Sequence, residues 1–276
     1  MIEVGKINKL KAMRSVEPGV YLDGRELGDI LLPHRYVPEN CNDGDMIDVF
    51  LYYDSEDRLI ATTLRPYVMV GEAGWLDVVD VNDFGAFLDW GLAKDLLVPF
   101  REQQHRMENG KSYMVFVYID EKTHRITASS NLNKFLTSPS SDFKEGQPVD
   151  LTLGDSTDLG YKTVIDNRAR GILYHTEIFQ ELNNGQKIKG FIKKIRDDGK
   201  IDLCLQKSGY EKVADLSEQI IQQIAAQGGY IEITDKSSAE RIYKQFGISK
   251  KNFKKAIGAL YKAHRIIIEK EGIALS

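Results

Sequence analysis

The chain has 276 residues, 37 Lys and Arg against 41 Asp and Glu, a formal net charge of −4 and 42% apolar residues, which suits a soluble globular chain of roughly two to four domains. Its two cysteines, Cys41 and Cys204, exclude a disulfide framework and fit a reducing cytoplasm. The opening MIEVGKINKLKAM has no signal-peptide core, and no stretch approaches the roughly 20 apolar residues of a membrane span, so a cytoplasmic protein with no membrane partner is expected.

The net charge hides an asymmetry. Residues 1–138 hold 15 Lys and Arg against 22 Asp and Glu (−7), residues 139–211 hold 11 against 12 (−1), and residues 212–276 hold 11 against 7 (+4). A basic end on an acidic chain points to a polyanion partner for that end.

In chain order, the first feature is a repeat. Residues 19–34, GVYLDGRELGDILLPH, align without a gap on 85–100, GAFLDWGLAKDLLVPF. Each copy continues into a Gly-led apolar segment, GDMIDVFLYYDSEDRLIATT (44–63) and GKSYMVFVYIDEKTHRITASS (110–130). A divergent third copy reads LGYKTVIDNRARGILYHTEIF (159–179), then GQKIKGFIKKIRDDGKIDLCLQ (185–206). Self-similarity at a fixed period outranks local signals. Alternating apolar positions (Met46, Ile47, Val49, Leu51, Tyr53) and β-branched or aromatic runs such as 113–119 predict strands. The polar stretches 53–58, 119–124 and 196–200 predict hairpin turns, with Asp198-Gly199 suited to positive φ. Five short strands per unit describe an OB-type barrel. A unit of about 65–70 residues is near the lower limit for an independent core, so neighbouring units are expected to lean on one another.

Pro139, among Thr137, Ser138, Ser140 and Ser141, marks a break, and a second junction is expected near Ser208-Gly209. From Lys212 the period becomes helical. Leu216, Ile220 and Ile224 form one stripe, ended by Gly228-Gly229. A short strand at 230–234 follows. Ser237, with Glu240 three residues on, predicts a capping box for a second helix with Ala239, Ile242, Tyr243 and Phe246 on its apolar side, stopped by Gly247. Ser249 caps a third helix with Phe253, Ile257 and Leu260 inward, and 265–269 with 273–275 form a hairpin. Three helices, a short strand and a hairpin make a winged helix-turn-helix. The fold expected is therefore mostly β with an α/β C-terminal module: three tandem five-stranded OB-fold barrels at 1–66, 67–138 and 139–209, then a winged helix at 210–276.

These residues carry a resemblance. The second repeat resembles the RNA-binding OB-fold of ribosomal protein S-one type, with Gly74, Val78, Phe84-Gly85-Ala86-Phe87-Leu88 and Asp95-Leu-Leu-Val98 in the motif positions. The third keeps Gly171-Ile-Leu-Tyr174-His175-Thr176-Glu177 but has Leu159-Gly160-Tyr161-Lys162 for the aromatic segment, and the first has Pro18 before its glycine. Tandem repeats of this type ending in a winged helix resemble the bacterial conserved virulence factor B (CvfB, YitL-like) family. That resemblance implies RNA binding and post-transcriptional control of gene expression, including virulence-type genes.

An OB surface holds single strands by stacking bases on aromatics while cations track the backbone. In the second repeat Phe84, Phe87 and Trp90 are candidate platforms, with core packing as their alternative. In the third, Tyr161 and Tyr174 are candidate rings beside Lys162, His175, Lys187, Lys189, Lys193 and Lys194. On the third C-terminal helix, a wheel at about 100° per residue gathers Lys250, Lys251, Lys254, Lys255 and Lys262, with Arg265 if the helix reaches it, in one arc of about 140° opposite Phe253 and Leu260. Lysines in a first turn oppose the macrodipole, and a helix N-terminus beside them is a phosphate site. A solvated charged face is the alternative.

Nucleotide-binding glycine motifs and H-E-x-x-H are absent, and the five histidines are scattered, so no enzyme, cofactor or metal site is expected. The reading is a non-catalytic binder of single-stranded RNA, of low sequence specificity, acting through the third barrel and the winged helix. Its rivals are a DNA-binding regulator and a scaffold whose acidic first two repeats dock a protein.

Overall fold

The structure is a computed structural model that describes residues 2–178, 180–206 and 211–276. The junction expected at Ser208-Gly209 lies outside the described residues. The chain forms two compact units, Met1–Thr137 and Ser138–Ser276.

The first unit holds two barrels. Strands β1 (Ile7–Val16), β2 (Gly19–Asp23), β3 (Asp29–Pro33), β4 (Met46–Tyr53) and β5 (Leu59–Thr62) close in the order β1-β2-β3-β5-β4, with β3 and β5 parallel and the other pairs antiparallel. The second barrel repeats this with β6 (Ala73–Asn82), β7 (Gly85–Asp89), β8 (Leu96–Pro99), β9 (Ser112–Ile119) and β10 (Ile126–Ser129), in the order β10-β9-β6-β7-β8 with β8 running alongside β10.

The two barrels share a core, which explains an otherwise odd strand. In β4, residues 47 and 49–52 are buried. Alternation sends Ile47, Val49 and Leu51 into the first barrel, while Phe50 and Tyr52 enter the core of the second. A strand covered on both faces reads as a continuous apolar run, as 49–52 does. Phe50 meets Trp90 edge-on, with ring centroids 5.6 Å apart. Burying Phe50 contributes about 1.5–3 kcal/mol to this junction.

The second unit begins with a closed barrel of β11 (Pro148–Ser156), β12 (Gly160–Ile165), β13 (Ala169–Tyr174), β14 (Lys187–Ile195) and β15 (Ile201–Cys204), again with the third and fifth strands parallel. Asp166 and Asn167, both at positive φ, make the tight turn between β12 and β13, and Gly199 takes φ 77° in the next hairpin.

One glycine per barrel explains the start of each repeat. Gly19, Gly85 and Gly160 adopt φ of 155°, 154° and 155°, each against a neighbouring strand. A Cβ there would stand 2.0 Å from the Leu32 carbonyl oxygen, 2.3 Å from that of Val98 and 2.2 Å from that of Leu173. Only glycine fits between the second and third strands.

The rest of the unit is α1 (Glu211–Ala226), β16 (Tyr230–Ile231), α2 (Ala239–Phe246), α3 (Lys250–Lys262), β17 (Ile266–Ile268) and β18 (Ile273–Leu275), with the strands ordered β16-β18-β17. Leu216, Ile220, Ile224, Ile242, Phe253, Ile257 and Leu260 meet in its core. Two sequence expectations shift here. The cap of α2 is Ser238, whose side chain accepts the Arg241 N–H, while the Ser237 hydroxyl accepts from Thr234 N–H and closes the turn before the helix. That turn also shortens the strand expected at 230–234 to two residues. Ser249 caps α3 by accepting from Asn252 N–H, and Gly247 ends α2 in the left-handed conformation.

Candidate nucleic-acid interface

Strand register sorts the third barrel's side chains. Tyr161 pairs with Leu173 on the inward face, and Lys162 with Ile172 on the outward face. Tyr161 is therefore half-buried against the core, and its hydroxyl donates to the Leu182 carbonyl at 2.7 Å. Its flank meets the His175 ring edge-on at 5.9 Å, and His175 Nε2 donates to the Thr157 carbonyl at 2.8 Å. Tyr161 is thus turned toward the core and held at its hydroxyl, where the sequence suggested an outward platform. Tyr174 stands on the outward face with Arg196 beside its ring, 5.7 Å from the centroid, and Arg196 also bonds the Tyr174 hydroxyl and Asp202. Lys194 lies opposite Asp202 on that face.

The remaining cations of the barrel are partly neutralised. Lys189 pairs with Asp150 at 2.5 Å across the β11–β14 ladder, and Lys187 stands two residues away on the same outward face. Lys193, at a bulge, pairs with Glu177 at 2.8 Å, and this hydrogen bond raises its pKa above the ordinary lysine value. Such exposed pairs are worth only about 0–1 kcal/mol each and exchange readily for a phosphate. Lys162 and Lys194 form no ion pair among the described residues. Neither does Arg170, which register places opposite Val164 on the same face as Lys162. Arg170 is not among the residues expected from sequence; counting the β12–β13 turn from Asp166-Asn167 places it there.

The lysine arc of α3 divides. Lys250 is half-buried, and its ammonium donates to the carbonyls of Ser237 (2.7 Å) and Lys236 (3.3 Å). Its place in the first turn thus has an internal cause. Lys254 lies 3.5 Å from Asp235. Arg265 is not on the helix, which ends at Lys262; it follows the turn at His264 and pairs with Glu218 of α1 at 2.7 Å. Lys251, Lys255 and Lys262 remain exposed without an ion pair among the described residues, within an arc of about 40°. Nor is the N-terminus of α3 open. Ser249 is buried, and the Gln206 side-chain oxygen accepts from Ser249 N–H (3.4 Å) and Asn252 Nδ2 (3.2 Å). Gln206 also donates to the Gly247 carbonyl at 2.8 Å, so the last residue described before the helical module is bonded to the turn between α2 and α3.

In the second barrel, Trp90 is not a platform. It is 3% exposed, and its indole N–H donates to the Lys94 carbonyl at 2.6 Å. Phe84 is 74% exposed, and Phe87 is half-buried on the outward face opposite Asp80 and Leu97. Carboxylates surround these rings. Asp95 is held above the usual carboxylate range by partial burial, then by Asp89 and Asp80. The repeat with the intact aromatic motif thus sets its outward rings among carboxylates. Among the described residues, no cluster of His, Cys, Asp and Glu is placed to hold a metal, and no helix is long and apolar enough to cross a membrane.

Comparison with known proteins agrees with this architecture. Residues 4–64 and 70–130 each match the S1 domain family model, and residues 218–275 match the CvfB-like winged helix domain. The chain is 28% identical to the protein YitL of Bacillus subtilis (strain 168), over 87% of this chain and 83% of that one. It is 25% identical to Conserved virulence factor B of Staphylococcus aureus (strain USA300), over 85% and 83% respectively. A crystal structure of a multidomain protein with nucleic acid binding domains from Streptococcus pneumoniae TIGR4 aligns over 99% of this chain and 98% of that one, with 23% identity and a TM-score of 0.42. The chain thus carries two S1 domains, a third barrel of the same topology and a CvfB-like winged helix, in that order, and is similar over most of its length to proteins named YitL and Conserved virulence factor B.

Proposed function

We propose that this is a non-catalytic RNA-binding protein that holds single-stranded RNA through the unit Ser138–Ser276 and acts in post-transcriptional regulation in the cytoplasm. The observation that carries this reading is two groups of cations that form no ion pair among the described residues: Lys251, Lys255 and Lys262 on one flank of α3, and Lys162, Arg170 and Lys194 on the outward surface of the third barrel. S1 and winged-helix domains are nucleic-acid-binding families, which supports the same role. Tyr174, braced by Arg196, supplies a stacking ring, worth roughly 1–3 kcal/mol per base and indifferent to base identity. Sequence preference is accordingly shallow and salt dependence marked. The staphylococcal relatives bear the name Conserved virulence factor B, which fits regulation of virulence-type genes.

The test is fluorescence anisotropy of labelled oligouridylate with the full-length protein and its Lys251→Glu/Lys255→Glu variant. The variant should bind more weakly, with a log-log salt slope shallower by about 0.7 for each phosphate it no longer neutralises. Its circular dichroism melt should match wild type, because both side chains are exposed. Equal binding by the two proteins would reduce the lysine flank to a solvated face. Tighter binding to duplex DNA than to oligouridylate would move the reading to a DNA-binding regulator.

A further inference from the structure

The second barrel carries a surface that the RNA reading leaves unused. Where it meets the first barrel there is an open groove of about 530 Å³, walled by Tyr53 from the first barrel and by Phe84, Phe87, Leu97 and Ile126 from the second. Phe84, 74% exposed, stands with Phe87, Leu97 and Ile126 in one contiguous apolar patch, the kind of surface that marks an interaction site. The groove is fixed in shape, because the barrels on either side share one core.

Its electrostatics select the occupant. Asp80 lies opposite Phe87 in the β6–β7 ladder, Asp83 precedes Phe84, Asp89 follows Phe87 on the same outward face, and Asp95 lines the groove. The two cations of the groove are already used. Lys94 turns its ammonium to the carbonyls of Tyr53 (3.1 Å) and Asp54 (2.6 Å), and Arg125 pairs with Asp57. A phosphodiester strand laid in the groove would meet Asp95, with Asp89 and Asp80 close to it, and neither cation of the groove is free to receive its charges. A cationic chain meets the opposite situation.

We infer that this groove docks an extended segment of a partner protein in which Lys or Arg residues flank a large apolar side chain. The apolar side chain sits against Phe84 and Phe87, and the flanking cations face Asp80, Asp83, Asp89 and Asp95. The protein then has two faces of opposite preference, one for polyanions and one for a basic polypeptide. This inference does not depend on the RNA reading.

The test uses full-length protein and three fluorescein-labelled probes: a peptide with Leu-Phe-Leu between two pairs of arginines, the same core between pairs of glutamates, and oligouridylate. The cationic peptide should bind and the acidic one should not. Phe84→Ala should weaken the cationic peptide roughly tenfold or more, as loss of an aromatic anchor does. Asp80→Asn/Asp95→Asn should weaken it and flatten its salt dependence. Oligouridylate affinity should be unchanged in both variants, and the Phe84→Ala melt should match wild type because that ring is exposed. Equal binding of the two peptides, equal binding of the cationic peptide to wild type and Phe84→Ala, or a loss of oligouridylate affinity in Phe84→Ala would each overturn the inference, the last by returning the face to nucleic acid.

Discussion

The second and third barrels have the same strand order and the same glycine at the start of the second strand, yet their outward faces are opposite in character. Phe87 and Lys162 occupy equivalent places, two residues after Gly85 and Gly160 and opposite Leu97 and Ile172 of the next strand. Around Phe87 stand Asp80, Asp89 and Asp95; beside Lys162 stand Arg170 and Tyr174 of the neighbouring strand. The glycine persists because a carbonyl oxygen leaves no room for a Cβ, whereas the outward positions meet solvent and are free to change. Magnitudes decide what the change does. Stacking offers roughly 1–3 kcal/mol per base. Each like charge about 4 Å from a phosphate costs about 1 kcal/mol even in water. Several carboxylates beside Phe84 and Phe87 therefore offset what the rings offer, so an intact aromatic motif is not by itself a binding site.

The largest effect expected tests what the two barrels share. Gly160→Val and Gly85→Val should each destabilise their barrel by about 4 kcal/mol or more, since the colliding atom is backbone and cannot turn aside. Denaturant unfolding measures this, and a small effect in either barrel would break the equivalence. Next, Phe253→Ala removes a ring that is 0% exposed in the winged-helix core and should cost about 3–5 kcal/mol, lowering RNA affinity through unfolding rather than through charge. A circular dichroism melt separates that outcome from Lys251→Glu/Lys255→Glu.

Exchanging the outward residues sharpens the comparison. Lys162→Phe should lower oligouridylate affinity several-fold, the effect of releasing about one phosphate. Phe87→Lys should leave it unchanged, because Asp80 directly opposite absorbs the new charge. A gain of RNA binding in Phe87→Lys would mean that charge at this one position, and not the carboxylate ring, separates the barrels.

The smallest effect is titrational. Asp95 has a folded-state pKa raised above its unfolded value, so its ionised form destabilises the folded protein. That penalty is present above the raised pKa, fades as pH falls through it, and is gone once the unfolded carboxyl is also protonated. Asp95→Asn should therefore raise the melting temperature slightly at neutral pH and leave it unchanged in acid. A gain that persists in acid would point to a cause other than the burial of Asp95 and its repulsion by Asp89 and Asp80.

Much of the fold was legible because repetition and helical period are properties of many residues together. The three glycines, the Gly247 stop and the Ser249 cap could be read directly. The site was less legible because exposure depends on what packs beside a strand. Trp90 resembles a platform until the first barrel covers it with Phe50. Tyr161 and Lys162 are adjacent, and only register tells which faces outward. Ser237 and Ser238 both fit a cap, and the turn bond to Thr234 decides between them. Arg265 falls in the arc only on a helix prolonged past Lys262. Lys250 carries a charge whose partners, two carbonyl oxygens, leave no trace in a sequence.

If charge, rather than the intact aromatic motif, places RNA on the second unit as proposed, the two units should differ in affinity. This is tested most directly by titrating labelled oligouridylate with the fragments 1–137 and 138–276, which correspond to the two compact units. Fragment 138–276 should retain most of the full-length affinity, and 1–137 should bind at least roughly tenfold more weakly. Equal or tighter binding by 1–137 would contradict the proposal and make Phe84 and Phe87 the deciding groups.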